Sequence, residues 1–300
     1  MGTVRSYSFL DAPSDLGLKP TGVKGLPQAL REAGLLEGLS DVRHAGRLPV
    51  PTYAQQRDAN TGVLNPDAIA EFGVDLAERV TKTLDLGRFP LVLGGDCSIL
   101  LGPALALRRR GRFGLFFIDG HADYYSPESE PNGELASMEL RVVTGGEPMR
   151  LADLEGRRPL VREEDVVVFG IRDAEEAAEN GSPDVRQTAM HVFDLVDVRS
   201  SGAAAAARRG LSALCGRGLD GFWIHIDADV LNDKVMSAVD YRMPDGLWPD
   251  ELTDTLTTVL ASSLAVGMDV TIYNPALDSR DRTAARTLAE ALTAAFERAE

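Results

Sequence analysis

Short, nearly unbroken apolar runs alternate with longer segments of helical period, and this alternation constrains the fold more than any other feature of the chain. Leu91–Leu93, Phe113–Ile118, Val166–Phe169, Phe222–Ile226 and Val266–Val270 are largely continuous apolar runs, as expected of parallel strands covered on both faces. Helices are expected between them over Leu26–Leu36, Pro66–Leu84, Ile99–Arg110, Ala203–Leu214 and Pro249–Ala261. In the final segment, Arg282–Glu300, the residues Leu288, Leu292, Ala295 and Phe296 fall at i, i+4, i+7 and i+8 and form one apolar helix face. Alanine favours helix, so the run Ala203–Ala207 reads as helix and not as linker. The pattern predicts an α/β protein with a mostly parallel sheet between helices. No internal repeat and no long Pro/Gly/Ser stretch divides the chain, so residues 1–300 are expected to form a single α/β domain.

Composition narrows the function. Apolar residues make up 44% and charged residues 26%, which excludes a disordered or collagen-like chain. With 31 Lys plus Arg against 46 Asp plus Glu, the formal charge is −15. Such a field repels phosphate backbones and anionic lipid, so neither nucleic acid nor a membrane is expected as a partner. The longest apolar stretches, such as Leu115–Ile118, fall far short of the ~20 residues needed to span a bilayer. No basic segment followed by an apolar one opens the chain, so export is not expected. Cys97 and Cys215 make no disulfide framework, and Cys215 is expected in a helix core. Together these features suit a reducing, cytoplasmic location.

Three polar clusters each follow an expected strand. They are Gly94-Gly95-Asp96-Cys97-Ser98, Asp119-Gly120-His121-Ala122-Asp123 and Asp227-Ala228-Asp229. In open α/β sheets ligands bind beyond the carboxyl ends of the strands, so three such ends can converge. Asp119, His121 and Asp123 at i, i+2 and i+4 lie on one side of an extended segment, and Asp227 and Asp229 share that step. Four crowded carboxylates repel one another and take up protons unless cations neutralise them. Oxygen and imidazole donors suit Mn²⁺, Zn²⁺, Fe²⁺ or Ni²⁺, and bridging carboxylates suit a pair of ions that activates water for hydrolysis. An isolated Asp-x-Asp or Gly-Gly is an ordinary turn signal. It is the Asp-x-His-x-Asp following a strand that carries the metal expectation.

These clusters, in this order, resemble those of the ureohydrolases, the family of arginase, agmatinase and formiminoglutamase. Asp15-Leu16-Gly17, Gly22-Val23 and Gly25–Arg31 look like the family's N-terminal region, more like arginase than agmatinase. Met236–Asp240, Pro244–Leu247 and Asn274–Asp278 look like its C-terminal landmarks. The resemblance implies a three-layer α/β/α sandwich and two divalent metal ions, Mn²⁺ first. It implies that a bridging hydroxide attacks a guanidinium or formimino carbon. Carried over by position, Cys97, Asp119, Asp123 and Asp227 would hold one ion. Asp119, His121, Asp227 and Asp229 would hold the other. Asp123 would also accept a hydrogen bond from the hydroxide and is the catalytic candidate. Tyr125, Asn132 and Glu175 are the substrate-binding candidates, and a small guanidino or amidine compound is the expected partner. Family members are commonly trimers or hexamers, so a homo-oligomer is expected.

Three positions depart from the family pattern. Cys97 stands where the family has histidine; a thiolate adds negative charge and shifts preference towards Zn²⁺ or Fe²⁺. Some ureohydrolase-like enzymes acting on hydroxyarginine are similar in having cysteine there. Ala136 stands where arginases carry a proton-moving histidine, and Ile272 where the family has a glutamate that orients the guanidinium. Plain arginine is therefore not the expected substrate. A metal-dependent hydrolase of linear C–N bonds is the leading expectation. Its rivals are a non-catalytic binding protein on the same fold and a thiol enzyme using Cys97 as nucleophile with His121 as base. His225 is expected to pack or to support a ligand, and Asp173–Glu179 to be a solvated helix face.

Overall fold

Continuous apolar strands must be covered on both sides, and the computed structural model, which describes residues 5–300, shows how. The strands are β1 (Tyr7–Asp11), β2 (Val42–Arg47), β3 (Phe89–Leu93), β4 (Phe113–Ile118), β5 (Val166–Phe169), β6 (His191–Phe193), β7 (Gly221–Asp227) and β8 (Ala265–Thr271). They form one sheet in the order β2-β1-β3-β8-β7-β4-β5-β6, with every neighbouring pair parallel. Along β4 the side chains alternate between two apolar layers. Phe116 and Ile118 join Ile224, Ile226 and Val167 on one face. Leu115 and Phe117 join Trp223, Val166 and Val168 on the other. Helices Ala203–Cys215, Pro249–Leu260 and Thr283–Ala299 cover the first layer, and Pro66–Asp85 and Leu101–Arg108 the second. This is the three-layer α/β/α architecture.

The five expected strands are all present, each within a few residues of its expected bounds. Three others had no continuous apolar run to announce them: β2 is mostly polar and partly exposed, β6 has three residues, and β1 is interrupted by Ser8 and closed by Asp11. The expected helix Leu26–Leu36 stops at Glu32, just before Gly34 turns the chain at φ +91°. Cys215 is exposed at the end of its helix, a correction to the expected core position, because the helix's buried face runs through Ala207, Gly210 and Leu214. Among the described residues no helix is long and apolar enough to cross a membrane.

The order places β3, β8, β7 and β4 side by side in the middle of the sheet. All four run the same way, so Cys97, Thr271, Asp227 and Asp119 emerge at one edge although far apart in sequence.

Candidate metal centre

Each loop at that edge is fixed by its own polar groups. Asp96 is buried and accepts hydrogen bonds from Ser98 N (2.9 Å) and Ser14 Oγ (2.7 Å), which seats Cys97 at the start of a short helical turn. Gly95 is required there, since a Cβ would lie 1.7 Å from the Ser14 carbonyl oxygen. After β4, Asp119 accepts from His121 N at 2.7 Å; after β7, Asp227 accepts from Asp229 N at 2.7 Å. Asp229 accepts from Gly120 N at 3.2 Å and so ties the two loops together. A Cβ on Gly120 would sit 2.8 Å from that same carboxylate. Asp123 holds a left-handed backbone, φ 43°, a conformation that Asp tolerates better than most residues.

The side chains then converge. Cys97 Sγ lies 2.8 Å from Asp227 Oδ2 and 3.0 Å from Thr271 Oγ1. His121 Nδ1 lies 2.9 Å from Asp229 Oδ2. Asp119, Asp123, Asp227 and Asp229 are all buried. Burial, reinforced by neighbouring carboxylates, pushes Asp119, Asp123 and Asp227 well above the usual carboxylate range. Burial also raises the Cys97 thiol, with Asp227 adding to the effect. For His121 burial acts against the charged form, but Asp229, Asp123 and Asp173 outweigh it and push the pKa up to about 10. Asp229 is held below its usual value because His121 overcomes the effect of burial. A site with this much crowded negative charge is suited to cations.

Unpartnered atoms point the same way. Asp119 Oδ2, both carboxylate oxygens of Glu139 and His225 Nε2 are buried without a hydrogen-bond partner. Buried polar groups are paired in nearly all proteins, so several orphans aimed at one spot mark a place for a ligand. Two sets of donor atoms each lie within 4.8 Å of one another: Asp119, His121 and Asp229, and Cys97, Asp119, Glu139 and His225. The residues present therefore fit a metal centre. Glu139 was missed from sequence. Its only signal was a glutamate opening the segment Glu139–Val143, in which Leu140, Val142 and Val143 are also buried and only Arg141 is otherwise charged.

A pocket opens above. His121, Asp123, Asp227 and Asp229 face it, and Tyr125, Asn132, Glu176, Asn180, Tyr241, Ala136 and Ile272 are among its walls. Tyr125 and Asn132 are thus brought to the site as expected. Glu175 is not; it faces a neighbouring depression with Arg172 and Met243, while Glu176 lines the pocket. Asp173 is also not solvated. It is buried and accepts a hydrogen bond from Ala122 N at 2.9 Å, whereas the rest of Asp173–Glu179 is a helix with no buried residue. Two of the three family departures, Ala136 and Ile272, stand in the pocket wall, and the third, Cys97, lies beneath it.

Fold and site together define an α/β protein with a carboxylate-rich centre, suited to cations, at a switch point of the sheet. The chain belongs to the arginase family, whose model matches residues 5–296. It is 29% identical over 291 residues to the arginase of Staphylococcus aureus (strain COL), covering 95% of both chains. The crystal structure of arginase from Bacillus cereus superposes with a TM-score of 0.85 at 27% identity, covering 98% of both chains. Formimidoylglutamase from Bacillus subtilis, 19% identical, shares the fold with a TM-score of 0.75 over 99% of this chain and 88% of its own.

Proposed function

We propose that the protein is a two-metal hydrolase of a linear C–N bond in a guanidino, amidine or formimino compound other than plain arginine. The observation that carries this reading is the set of buried, unneutralised carboxylates of Asp119, Asp123 and Asp227 at the carboxyl ends of adjacent strands. On the His121 side, Asp119, His121, Asp227 and Asp229 would hold one divalent ion. On the other side Cys97 and Asp119 would contribute to a second, with Asp123 and Asp227 as the family pattern supplies them. When bound, such ions neutralise the carboxylates, polarise the substrate and lower the pKa of water enough for attack near neutral pH.

The chain's own residues would do the rest. Asp123, at the pocket floor, would accept a hydrogen bond from the attacking water and hold its proton at the carboxylate. Tyr125 and Asn132 would orient the substrate, with Glu176 taking the role expected of Glu175. The acidic lining favours a cationic or amidine-like ligand. Ala136 offers no proton to the leaving nitrogen, and acid–base help is worth about 10²–10⁴ in rate, which favours a substrate that leaves more easily. Ile272 gives a guanidinium no acceptor. The thiol-enzyme reading loses support. Cys97 is fully buried and its thiol is pushed up by burial and by Asp227, whereas a nucleophilic cysteine needs a lowered pKa and partial exposure. A cytoplasmic homo-oligomer, trimeric or hexameric, completes the proposal.

Elemental analysis of protein purified without chelator tests it, followed by a screen of N-hydroxylated guanidino and formimino compounds for released urea, hydroxyurea or formamide. Bound divalent metal together with one of these products is the expected result. Protein that takes up no metal, even when Mn²⁺ or Zn²⁺ is supplied, would leave the non-catalytic binding protein in its place.

A further inference from the structure

Beneath the pocket floor four buried donors face one another. Cys97 Sγ, one carboxylate oxygen each from Asp119 and Glu139, and a ring nitrogen of His225 lie within 4.8 Å of one another. All four residues are 0% exposed, and none lines the pocket, which is faced instead by His121, Asp123, Asp227 and Asp229. Asp119 turns one oxygen to the His121 backbone and leaves Oδ2 without a partner; neither oxygen of Glu139 meets a hydrogen-bond donor, and its carboxyl lies against that of Asp123.

His225 is arranged as a supported ligand. Its Nδ1 lies 2.6 Å from Asp269 Oδ2, and Trp223 Nε1 donates to the other oxygen of Asp269. The ring is stacked on Phe117 with centroids 4.8 Å apart, so its orientation is fixed. The Nδ1 side of the ring is committed to Asp269 and Nε2 is left without a partner, which is how carboxylate-backed histidines present themselves to metals.

We propose that Cys97, Asp119, Glu139 and His225 form a closed, four-coordinate divalent-cation site beneath the pocket. This rests on the metal-centre reading above and changes its cysteine side. Glu139 and His225 take the places that Asp123 and Asp227 would otherwise fill. The imidazole absent at position 97 is supplied from β7, one rung deeper in the sheet. Tetrahedral bonds to sulfur, nitrogen and oxygen put donors roughly 3.3–3.8 Å apart, so side-chain shifts of about an ångström would close the set. One sulfur, one nitrogen and two oxygens favour Zn²⁺, Fe²⁺ or Co²⁺ over Mn²⁺. Binding releases the thiol proton and any carboxyl protons to solvent. With four protein donors and no open position, this ion organises the carboxylates and does not touch substrate. The ion held by His121 and Asp229 is the one that faces the pocket.

Co²⁺ is the probe. Wild-type protein loaded with Co²⁺ is expected to show a thiolate-to-cobalt charge-transfer band and about two ions per chain. Glu139→Gln and His225→Gln should each lose the band and retain about one ion, at the His121 side. Asp269→Asn should keep the band but bind the deeper ion about 10–100-fold more weakly. Should the glutamine variants fail to fold, anomalous scattering from crystals of the Co²⁺-loaded wild type decides. Density bonded to Glu139 and His225 supports the site. Density bonded to Asp123 and Asp227 with His225 Nε2 out of reach overturns it, as would wild-type stoichiometry and band in both folded glutamine variants. Either of those results leaves the two-metal hydrolase standing. A wild type that binds no ion removes both.

Discussion

The two halves of the centre respond differently to burial. In the half built by β4 and β7, charge is answered locally: His121 N, Asp229 N and Gly120 N each donate to a carboxylate, and His121 pairs with Asp229. That half opens on the pocket. In the half that gathers around Cys97, Glu139 and His225 the donors are sealed, and the polar atoms of Glu139 and His225 Nε2 have no partner. Asp119 belongs to both, with Oδ1 satisfied in the first half and Oδ2 orphaned in the second. The open half can keep its geometry through its own hydrogen bonds. Without metal the sealed half stays neutral by holding protons, and it is the half expected to gain most from a cation, because unpaired buried charge costs several kcal/mol.

The shared carboxylate is the place to break the comparison most completely. Asp119→Asn keeps the shape but removes charge from both halves. Neither ion should then bind with wild-type affinity, and turnover should fall to background. Without metal the sign reverses. The variant should melt above metal-free wild type, since one member of a mutually repelling set has gone. Melting curves with and without added metal test this; a metal-free variant that melts below wild type would show that crowding is not what strains the centre.

The open half was the legible one. The spacing of Asp119, His121, Asp123, Asp227 and Asp229 after their strands pointed to the centre, but the extended chain expected there is not what brings them together. Asp229 lies in the helical turn Ala228–Val230 and Asp123 has a left-handed backbone, so tight turns bring the side chains to one side. Their strands could be read because each is a continuous apolar run. The sealed half could not. Glu139 reaches the centre only through the packing of a short helix against Cys97 and Asp123, and no local period encodes that. His225 sits in an apolar strand, where packing is the ordinary expectation; its support by Asp269 depends on the β7–β8 register that pairs the two positions. Glu175 and Glu176 differ by one residue on a helix, and one residue rotates a side chain by about 100°. Only the helix's seating decides which of them meets the pocket.

Acidity separates the halves more gently. In metal-free protein Asp119, Asp123, Asp227 and Glu139 all have raised values, chiefly through burial. The folded state therefore binds more protons than the unfolded one. Their contribution is fully present below the ordinary values of 3.8 for Asp and 4.5 for Glu, and it is lost as pH rises through the raised ones. His121 has the same sign: its contribution is complete below 6.5 and lost towards about 10. Asp229 opposes them, contributing above 3.8 and losing that in acid. Metal-free protein should therefore lose stability as pH rises from about 5 to about 9. Metal should flatten or invert that slope, because deprotonated donors bind it better. Thermal melting across that range, with chelator and with Zn²⁺, reads both; a metal-free stability that rises with pH would show that the carboxylates are already compensated.

The smallest expected effect sharpens the boundary between the halves at Ile272, which follows β8 and walls the pocket. Its backbone is left-handed, φ 68°, a strained setting for a β-branched side chain, and it is held there by Ile272 N donating to Gly95 O at 2.8 Å. The position is thus fixed by the loop that seats Cys97, whatever side chain it carries. Ile272→Glu removes the branch and places an acceptor in the wall. A hydrogen bond to a charged partner contributes about 1.5–3 kcal/mol, so a guanidinium ligand should bind about 10–100-fold more tightly. The added carboxylate lies near Asp227, so ligand-free stability should fall slightly while affinity rises. Isothermal titration with arginine, comparing the variant with wild type in the metal-loaded state, measures the difference. Unchanged affinity would mean that the missing acceptor at Ile272 does not set substrate choice, and that Ala136 or the cysteine-side ion would have to.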